Sequence, residues 1–284
     1  MPQISIIVPC YNQAQFLSDA LHSVLYQTFT DWECIIVNDG SPDDTELVAQ
    51  EWCEKDIRFK YLKKENGGLS SARNAGIAIA ESEWILPLDA DDKIGNEYLE
   101  RAHTIMFSLP DIGLIYANAE YFGEKDGLWH LPEYSFKAFL KTNMIYCSAF
   151  YKKEEWMRIG GYDEDMKNGW EDWEFWIRML GTSNKDVYKL EYTGFFYRIK
   201  NHSMLNSFNK NNEIIENTLR YIFKKHIDLY LNNFGIYQYL LYEMDDLRYS
   251  EHILKVKIER YENNLVVKTL KKIYFFFRKN PSKK

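Results

Sequence analysis

Paired cysteines and long apolar runs are both missing from this chain. Four cysteines are spread over 284 residues, and their spacing matches neither a disulfide framework nor a paired metal-ligand motif. We therefore expect reduced cysteines and a cytoplasmic protein. No apolar run is long enough to cross a bilayer, and the first residues lack the pattern of a signal peptide. The sequence thus predicts a soluble protein, or one that is peripheral on the inner face of the plasma membrane.

Excess positive charge is missing as well. The 35 Lys and Arg residues are outnumbered by 42 Asp and Glu residues, so the formal net charge is −7. This argues against a partner that is a nucleic acid, because such binding depends on neutralised phosphates. Apolar residues make up 46% of the chain, which is enough for a real core. A chain of this length forms one large domain, or one domain with an appendage.

Strand-like and helix-like patterns alternate through the first hundred residues. Short apolar runs typical of strands lie at 3–9, 33–38, 59–62 and 84–88. Helical patterns lie between them, at 14–26, 45–53 and 69–80. This alternation predicts βαβ units, a parallel sheet and a Rossmann-like half.

The pattern is less regular after residue 100. Strands are predicted at 113–117, 148–151, 187–190 and 195–199, with a hairpin over 121–129. Helices are predicted at 153–159 and 171–180, and from residue 213 onward the pattern is helical.

Three carboxylates follow the apolar run at 84–88, namely Asp89, Asp91 and Asp92. In an open α/β sheet, ligands bind at the carboxyl ends of the strands. Clustered carboxylates repel one another unless a cation neutralises them, and oxygen ligands on alternate residues favour Mg²⁺ or Mn²⁺. The alternative is a solvated acidic turn before the next helix, and Asp92 fits that alternative.

Other loops at the same predicted edge carry groups that suit a nucleotide. Tyr11 can lie against a base, Asp39 can accept hydrogen bonds from a base or ribose, and Arg73 can reach a pyrophosphate. A dinucleotide-binding dehydrogenase is excluded, because its first turn needs glycines and residues 10–13 contain none.

Four ordered segments, at 7–12, 37–41, 66–76 and 88–92, resemble the family 2 glycosyltransferases. These are inverting enzymes that act on nucleotide-diphosphate sugars, and a weaker likeness continues to about Met204. The resemblance implies an α/β fold of the GT-A type, which is a Rossmann-like nucleotide-diphospho-sugar transferase fold, with a C-terminal helical appendage. We expect a GT-A domain over 1–208, divided into a nucleotide-binding half (1–100) and an acceptor-binding half (101–208). A helical extension would cover 209–284.

The family pattern implies a role for each matching residue on the donor side. Pro9, Tyr11 and Asp39 would hold the nucleoside, and Asp39 would contact the edge of the base. Arg73 would face the pyrophosphate, while Asp89 would contact the ribose or support the site. The donor is expected to be a UDP-sugar, because UDP is the usual nucleotide of the family.

The resemblance also makes Asp91 the direct ligand of Mn²⁺ or Mg²⁺, and Asp172 the general base. Chemistry supports the second role independently, since inversion needs a carboxylate that takes the proton of the attacking hydroxyl. Nearby tryptophans would raise the pKa of Asp172, and Trp170 and Glu171 are expected to contact the acceptor. The alternative reading of Asp172 is a helix N-terminal charge beside core tryptophans.

One position departs from the family. Where the family often carries a histidine as a further metal ligand, this chain has Lys200. A protonated lysine cannot bind a metal, but it can pair with a diphosphate. His202 would take the histidine's place after a shift in register, or it is a surface residue. The third metal ligand is therefore open.

The last residues, 267–284, combine lysines and arginine with a run of aromatic residues. This composition is typical of an interfacial membrane anchor, which would suit an enzyme with lipid-linked acceptors. The alternative is a terminal helix that packs on the domain, or on a second copy of the chain in a homo-oligomer.

The sequence therefore predicts an inverting, metal-assisted glycosyltransferase. Its acceptor would be a saccharide or a lipid-linked saccharide, and its setting bacterial surface polysaccharide synthesis. A catalytically silent nucleotide-sugar-binding subunit is the alternative, with Lys200 as a sign of decay. A nucleotidyltransferase is a poorer option, because its glycine-rich first loop is absent.

Overall fold

The computed structural model describes residues 1–200 and 211–263, together with residues 268, 274 and 275. Its strands are β1 (Ile4–Cys10), β2 (Trp32–Asp39), β3 (Phe59–Lys64), β4 (Trp84–Pro87), β5 (Lys93–Ile94), β6 (Ile112–Gly123), β7 (Gly127–Trp129), β8 (Phe150–Lys152) and β9 (Asp186–Ile199). Its helices are α1 (Ala14–Leu25), α2 (Thr45–Lys55), α3 (Leu69–Ile79), α4 (Tyr98–Ser108), α5 (Phe136–Phe139), α6 (Lys153–Ile159), α7 (Glu171–Gly181), α8 (Asn212–Lys225), α9 (Ile227–Phe234) and α10 (Tyr237–Asn263).

One mixed sheet runs through the described part of the chain in the order β3-β2-β1-β4-β8-β6-β9-β5, and β7 pairs with β6. Its first four strands are parallel to one another. Every residue of β1 and β2 is buried, as expected for parallel strands that are covered on both faces. The predicted α/β fold and its parallel half are confirmed.

The second half of the sheet is mixed. Strand β8 pairs antiparallel with both β4 and β6, and β9 runs parallel to β6. The predicted hairpin over 121–129 is confirmed as the antiparallel pair of β6 and β7. The two strands predicted at 187–190 and 195–199 are instead one strand, β9. Its register against β6 shifts between the pairs of Leu190 and Thr193, so a bulge absorbs the polar residues that suggested a break.

The described chain divides into two compact units, Met1–Ile227 and Asp228–Lys284. The first unit continues past the predicted boundary at residue 208 and includes α8. The end of α8 is held by the fully buried Glu174 of α7, whose Oε1 lies 2.9 Å from both Lys225 Nζ and His226 Nε2. The C-terminal region is helical, as predicted, whereas the division at residues 208 and 209 stays a prediction.

Most of the basic aromatic segment at 267–284, and the whole of 201–210 with His202, lie outside the described residues. Predictions for those positions stay predictions. Across the residues that are described, no helix combines the length and the apolar character needed to cross a membrane.

Helix α3 lies unusually close to the sheet because of Gly76. A methyl group on Gly76 would lie 2.6 Å from Cγ2 of Ile7 and 2.8 Å from Cγ2 of Val37, and both neighbours are fully buried. This close contact brings the start of α3, with Arg73, against the carboxyl ends of β1 and β2.

We predict that Gly76→Ala destabilises the protein, although alanine is the better helix former by about 1 kcal/mol. Overpacking against the two core methyl groups costs about 1–3 kcal/mol, so the net loss should be about 1 kcal/mol. Thermal unfolding followed by circular dichroism measures it. Ala78→Gly, at an exposed position of the same helix, is the control for helix propensity. A higher melting temperature for Gly76→Ala would show that the contact is loose.

Candidate active site

The loops at the carboxyl ends of the parallel strands line a cleft of about 1080 Å³. The cleft brings together the described site residues that the sequence predicted: Pro9, Tyr11, Asp39, Arg73, Asp89, Asp91, Trp170, Glu171, Asp172 and Lys200. Residues far apart in the chain therefore share one site, as the position at the strand ends requires.

The loop after β1 presents Tyr11 to the cleft with half of its surface exposed. The next residue, Asn12, has φ 55°, a left-handed conformation that asparagine tolerates better than most residues. Its N–H donates to Ser41 Oγ at 2.7 Å, and Asp43 accepts from both Ser41 Oγ (2.5 Å) and the N–H of Ala14 (2.8 Å). The loops after β1 and β2 are thus fixed to each other, and Tyr11 projects from a rigid base.

Asp39, at the end of β2, holds the loop before α3. Its carboxylate accepts from the N–H of Gly67 at 3.0 Å, from the N–H of Gly68 at 2.8 Å and from Lys64 Nζ at 2.7 Å. Lys64, at the end of β3, was not predicted from the sequence. A base or ribose that binds at Asp39 would share a carboxylate that already orders this loop.

The acidic turn after β4 distributes its carboxylates among different partners. Asp92 is only 1% exposed, and its Oδ1 accepts from the N–H of Arg198 at 2.8 Å. Burial and the charges of Asp91 and Asp89 raise the pKa of Asp92 well above its usual range, which favours the neutral acid. Asp92 therefore stabilises the turn through its hydrogen bond with the backbone of Arg198 and does not cap helix α4.

Arg73 lines the cleft and is paired with two carboxylates. Its side chain is 1% exposed, and its two terminal nitrogens donate to Asp89 Oδ1 at 2.7 Å and to Glu171 Oε1 at 2.6 Å. The predicted contact of Arg73 with a pyrophosphate stays a prediction. Glu171, expected to contact the acceptor, is itself buried against Arg73. Asp89 keeps 27% of its side chain exposed, so it can support the site as expected.

Asp172 lies in the first turn of α7, two residues after Trp170, which has φ 61°. Its Oδ1 accepts from Asn143 Nδ2 at 3.2 Å and from the N–H of Trp173 at 2.7 Å. Burial and, after it, the charge of Glu171 raise the pKa of Asp172 to about 7, while the charge of Arg73 partly offsets them. A carboxylate with this pKa can accept a proton near neutral pH.

The family resemblance assigns Asp91 as the ligand of a divalent ion. In the structure its carboxylate forms an ion pair with the ammonium of Lys200. Asp89 and Asp92 are committed to Arg73 and to the backbone of Arg198. Across residues 1–200 and 211–263, no three acidic, histidine or cysteine side chains converge in a way that could hold a metal. Mn²⁺ or Mg²⁺ bound here would depend on Asp91, with donor phosphates and water as further ligands, and it would compete with Lys200 for that carboxylate.

Several cleft residues were not predicted because they lie in irregular segments. Asn143 and Cys147 belong to a loop without periodic pattern, and Cys147 Sγ donates to Asp89 Oδ2 at 3.5 Å. An aromatic wall made of Trp129, Tyr146 and Tyr197 lines the same cleft. Only the aromatic composition of the second half of the chain pointed to it.

Relatives of this chain carry glycosyltransferase names. An uncharacterised glycosyltransferase of Rickettsia typhi is 32% identical over 195 residues, which are 64% of this chain and 60% of that protein. The minor teichoic acid biosynthesis protein GgaB of Bacillus subtilis is 41% identical over 99 residues, or 34% of this chain and 11% of that protein. The chain thus spans 60% or less of the length of these relatives.

Solved structures share the fold. TarS 1–349 of S. aureus, in complex with UDP-GlcNAc, has a TM-score of 0.63 at 21% identity, covering 72% of this chain and 61% of that one. A mannosyltransferase of Pyrobaculum calidifontis, in complex with GDP-Man and Mn²⁺, has a TM-score of 0.58 at 18% identity, covering 72% and 59%. At these identities the likeness shows the GT-A fold alone.

The model of the family described as Glycosyl transferase family 2 matches residues 5–165, more than half of the chain. The segments with the predicted motifs after β1, β2 and β4 fall within this match. The chain belongs to glycosyl transferase family 2 and has the GT-A fold.

Proposed function

We propose that this enzyme moves a sugar, with inversion, from a UDP-sugar to a hydroxyl of a saccharide or lipid-linked saccharide. The observation that carries the proposal is Asp172, a carboxylate with a pKa of about 7 in the same cleft as the loops of Tyr11 and Asp39. The name of GgaB and the UDP-GlcNAc bound to TarS support a UDP-sugar donor and a bacterial surface polymer as the product.

The nucleoside would bind at the fixed loops after β1 and β2. Tyr11 offers an exposed ring for stacking, and Asp39 places the N–H groups of the loop before α3 at the cleft edge. Pro9 lines the same end of the cleft. These loops need little rearrangement, because their hydrogen bonds are already formed, and preorganised binding costs less free energy.

The acceptor hydroxyl would bind at the other end, against Asp172. Inversion requires attack opposite the leaving diphosphate while a carboxylate takes the hydroxyl proton. Every hydrogen bond found at Asp172 in the described residues uses Oδ1, so Oδ2 is the atom we assign to the proton. Asn143 fixes the orientation of the carboxylate, and Trp170 offers an aromatic face for a sugar ring.

The family resemblance implies Mn²⁺ or Mg²⁺, and the Pyrobaculum calidifontis mannosyltransferase was solved with Mn²⁺. Asp91 is the residue that would hold such an ion, whose charge would stabilise the leaving diphosphate. The ion would first have to displace Lys200 from Asp91. Metal dependence of this chain stays a prediction, and the roles of Tyr11, Asp39 and Asp172 do not rely on a metal.

We predict that UDP raises the melting temperature more than GDP, TDP or CDP in a thermal-shift panel. A ligand at about 100 times its Kd stabilises a protein by about 2.7 kcal/mol, which corresponds to a shift of several degrees. Tyr11→Ala should remove most of the shift, whereas Tyr26→Ala, at an exposed tyrosine that does not line the cleft, should keep it. The nucleoside site is misplaced if Tyr11→Ala retains the full shift.

We predict that Asp172→Asn lowers sugar transfer by about 10²- to 10⁴-fold while the UDP-induced thermal shift is retained. Release of UDP from a panel of UDP-sugars, with cell-wall saccharides or water as acceptor, measures the loss. In the unmodified enzyme the rate should rise about tenfold per pH unit below pH 7 and level off above it, since only the carboxylate form accepts the proton. Full activity of Asp172→Asn would show that Asp172 is not the general base.

We predict that Glu171→Gln moves this pH-dependent rise to lower pH. The neutral side chain no longer raises the pKa of Asp172 by charge repulsion, and Arg73 then lowers it more effectively. Glu164→Gln is the matched control, because Glu164 is an exposed carboxylate of the same cleft. The pH profile of UDP release tests the shift, and the melting temperature checks the fold. A profile displaced to higher pH would contradict the electrostatic account.

A further inference from the structure

Lys200 is held at the centre of the cleft by two separate loops. Its ammonium forms an ion pair with Asp91 in the turn after β4, and it donates to Gln13 Oε1, 3.2 Å away, before α1. The same Nζ lies 5.0 Å from the centre of the Phe16 ring. Only 15% of the Lys200 side chain is exposed. A long lysine side chain is thus fixed in one place, facing the cleft.

The carboxylates around Lys200 already have partners within the protein. Arg73 is shared between Asp89 and Glu171, and the buried carboxyl of Asp92 accepts from the backbone N–H of Arg198. Asp91 remains, and its partner is Lys200. An ammonium donates three hydrogen bonds and has no lone pair with which to bind a metal. A divalent ion at Asp91 would therefore meet a like charge at close range.

We propose that the ammonium of Lys200 is the cation of the diphosphate site, so that donor binding does not depend on Mn²⁺ or Mg²⁺. The proposal rests on the proposed function, because it assigns the partner of the donor's diphosphate. Lys200 lines the cleft together with Tyr11 and Asp91, and its ammonium contacts Gln13 in the loop after β1. A diphosphate there accepts hydrogen bonds from the ammonium while Asp91 keeps the side chain in position.

Isothermal titration of UDP tests the proposal, in EDTA and in Mn²⁺. For the unmodified protein the two Kd values should agree within about threefold. Lys200→Met should weaken binding about tenfold or more in EDTA and recover in Mn²⁺, because the freed Asp91 becomes available to the metal. Lys200→Arg, which keeps the positive charge, should bind UDP in EDTA. Lys167→Met, at an exposed lysine of the same cleft, should resemble the unmodified protein.

The outcomes separate this inference from the proposed function. If UDP binds the unmodified protein only in Mn²⁺, or if Lys200→Met binds normally in EDTA, the role of Lys200 is overturned and the transferase proposal stands. If no nucleoside diphosphate binds in either condition, both proposals fail. A second measurement uses Mn²⁺ alone, followed by its electron paramagnetic resonance signal. Lys200→His should bind Mn²⁺ about tenfold or more tightly than the unmodified protein, and equal binding would overturn the inference.

Discussion

The buried guanidinium of Arg73 is the interaction on which the site depends. It bonds Asp89, at the end of the parallel half of the sheet, and Glu171, at the start of α7. A buried charge is costly unless it is paired, and removal of one partner leaves an uncompensated charge. The two carboxylates are therefore held at fixed positions around one cation. Through this bridge the turn after β4 and the helix of Asp172 become parts of one rigid cleft.

The same bridge adjusts the chemistry of Asp172. Burial alone raises its pKa, and the adjacent charge of Glu171 raises it further, whereas Arg73 lowers it. Because Arg73 is bound to Glu171, the two opposing charges next to Asp172 partly offset each other, and burial is the largest influence on its pKa. The pKa of about 7 thus follows from the packing of α7 against the cleft. A carboxylate made basic by burial keeps this property only while water is excluded.

Whether a feature of the fold or the site could be predicted from the sequence depends on how far apart in the chain the interacting residues lie. Continuous apolar runs predicted β1, β2 and β4, because parallel strands buried on both faces leave that pattern. The partners of Arg73 were missed, since Glu171 is 98 positions away and local sequence carries no record of such a pair. The bulge in β9 was missed because the local sequence is misleading. Its polar residues suggest that the strand ends there, but pairing with β6 continues on both sides of the bulge.

For the acidic turn, the sequence motif and the three-dimensional structure suggest different partners for the carboxylates. Three carboxylates close together in sequence suggest one shared cation, since their repulsion needs compensation. In the fold each has its own solution, because Asp89 pairs with Arg73, Asp92 is buried against a backbone N–H, and Asp91 pairs with a lysine. Each carboxylate therefore has a partner of its own, and an ion could bind Asp91 only by displacing Lys200. The partner of Asp91 is thus a positive group held in one place beside the turn, and this arrangement is the basis on which we infer diphosphate binding at Lys200.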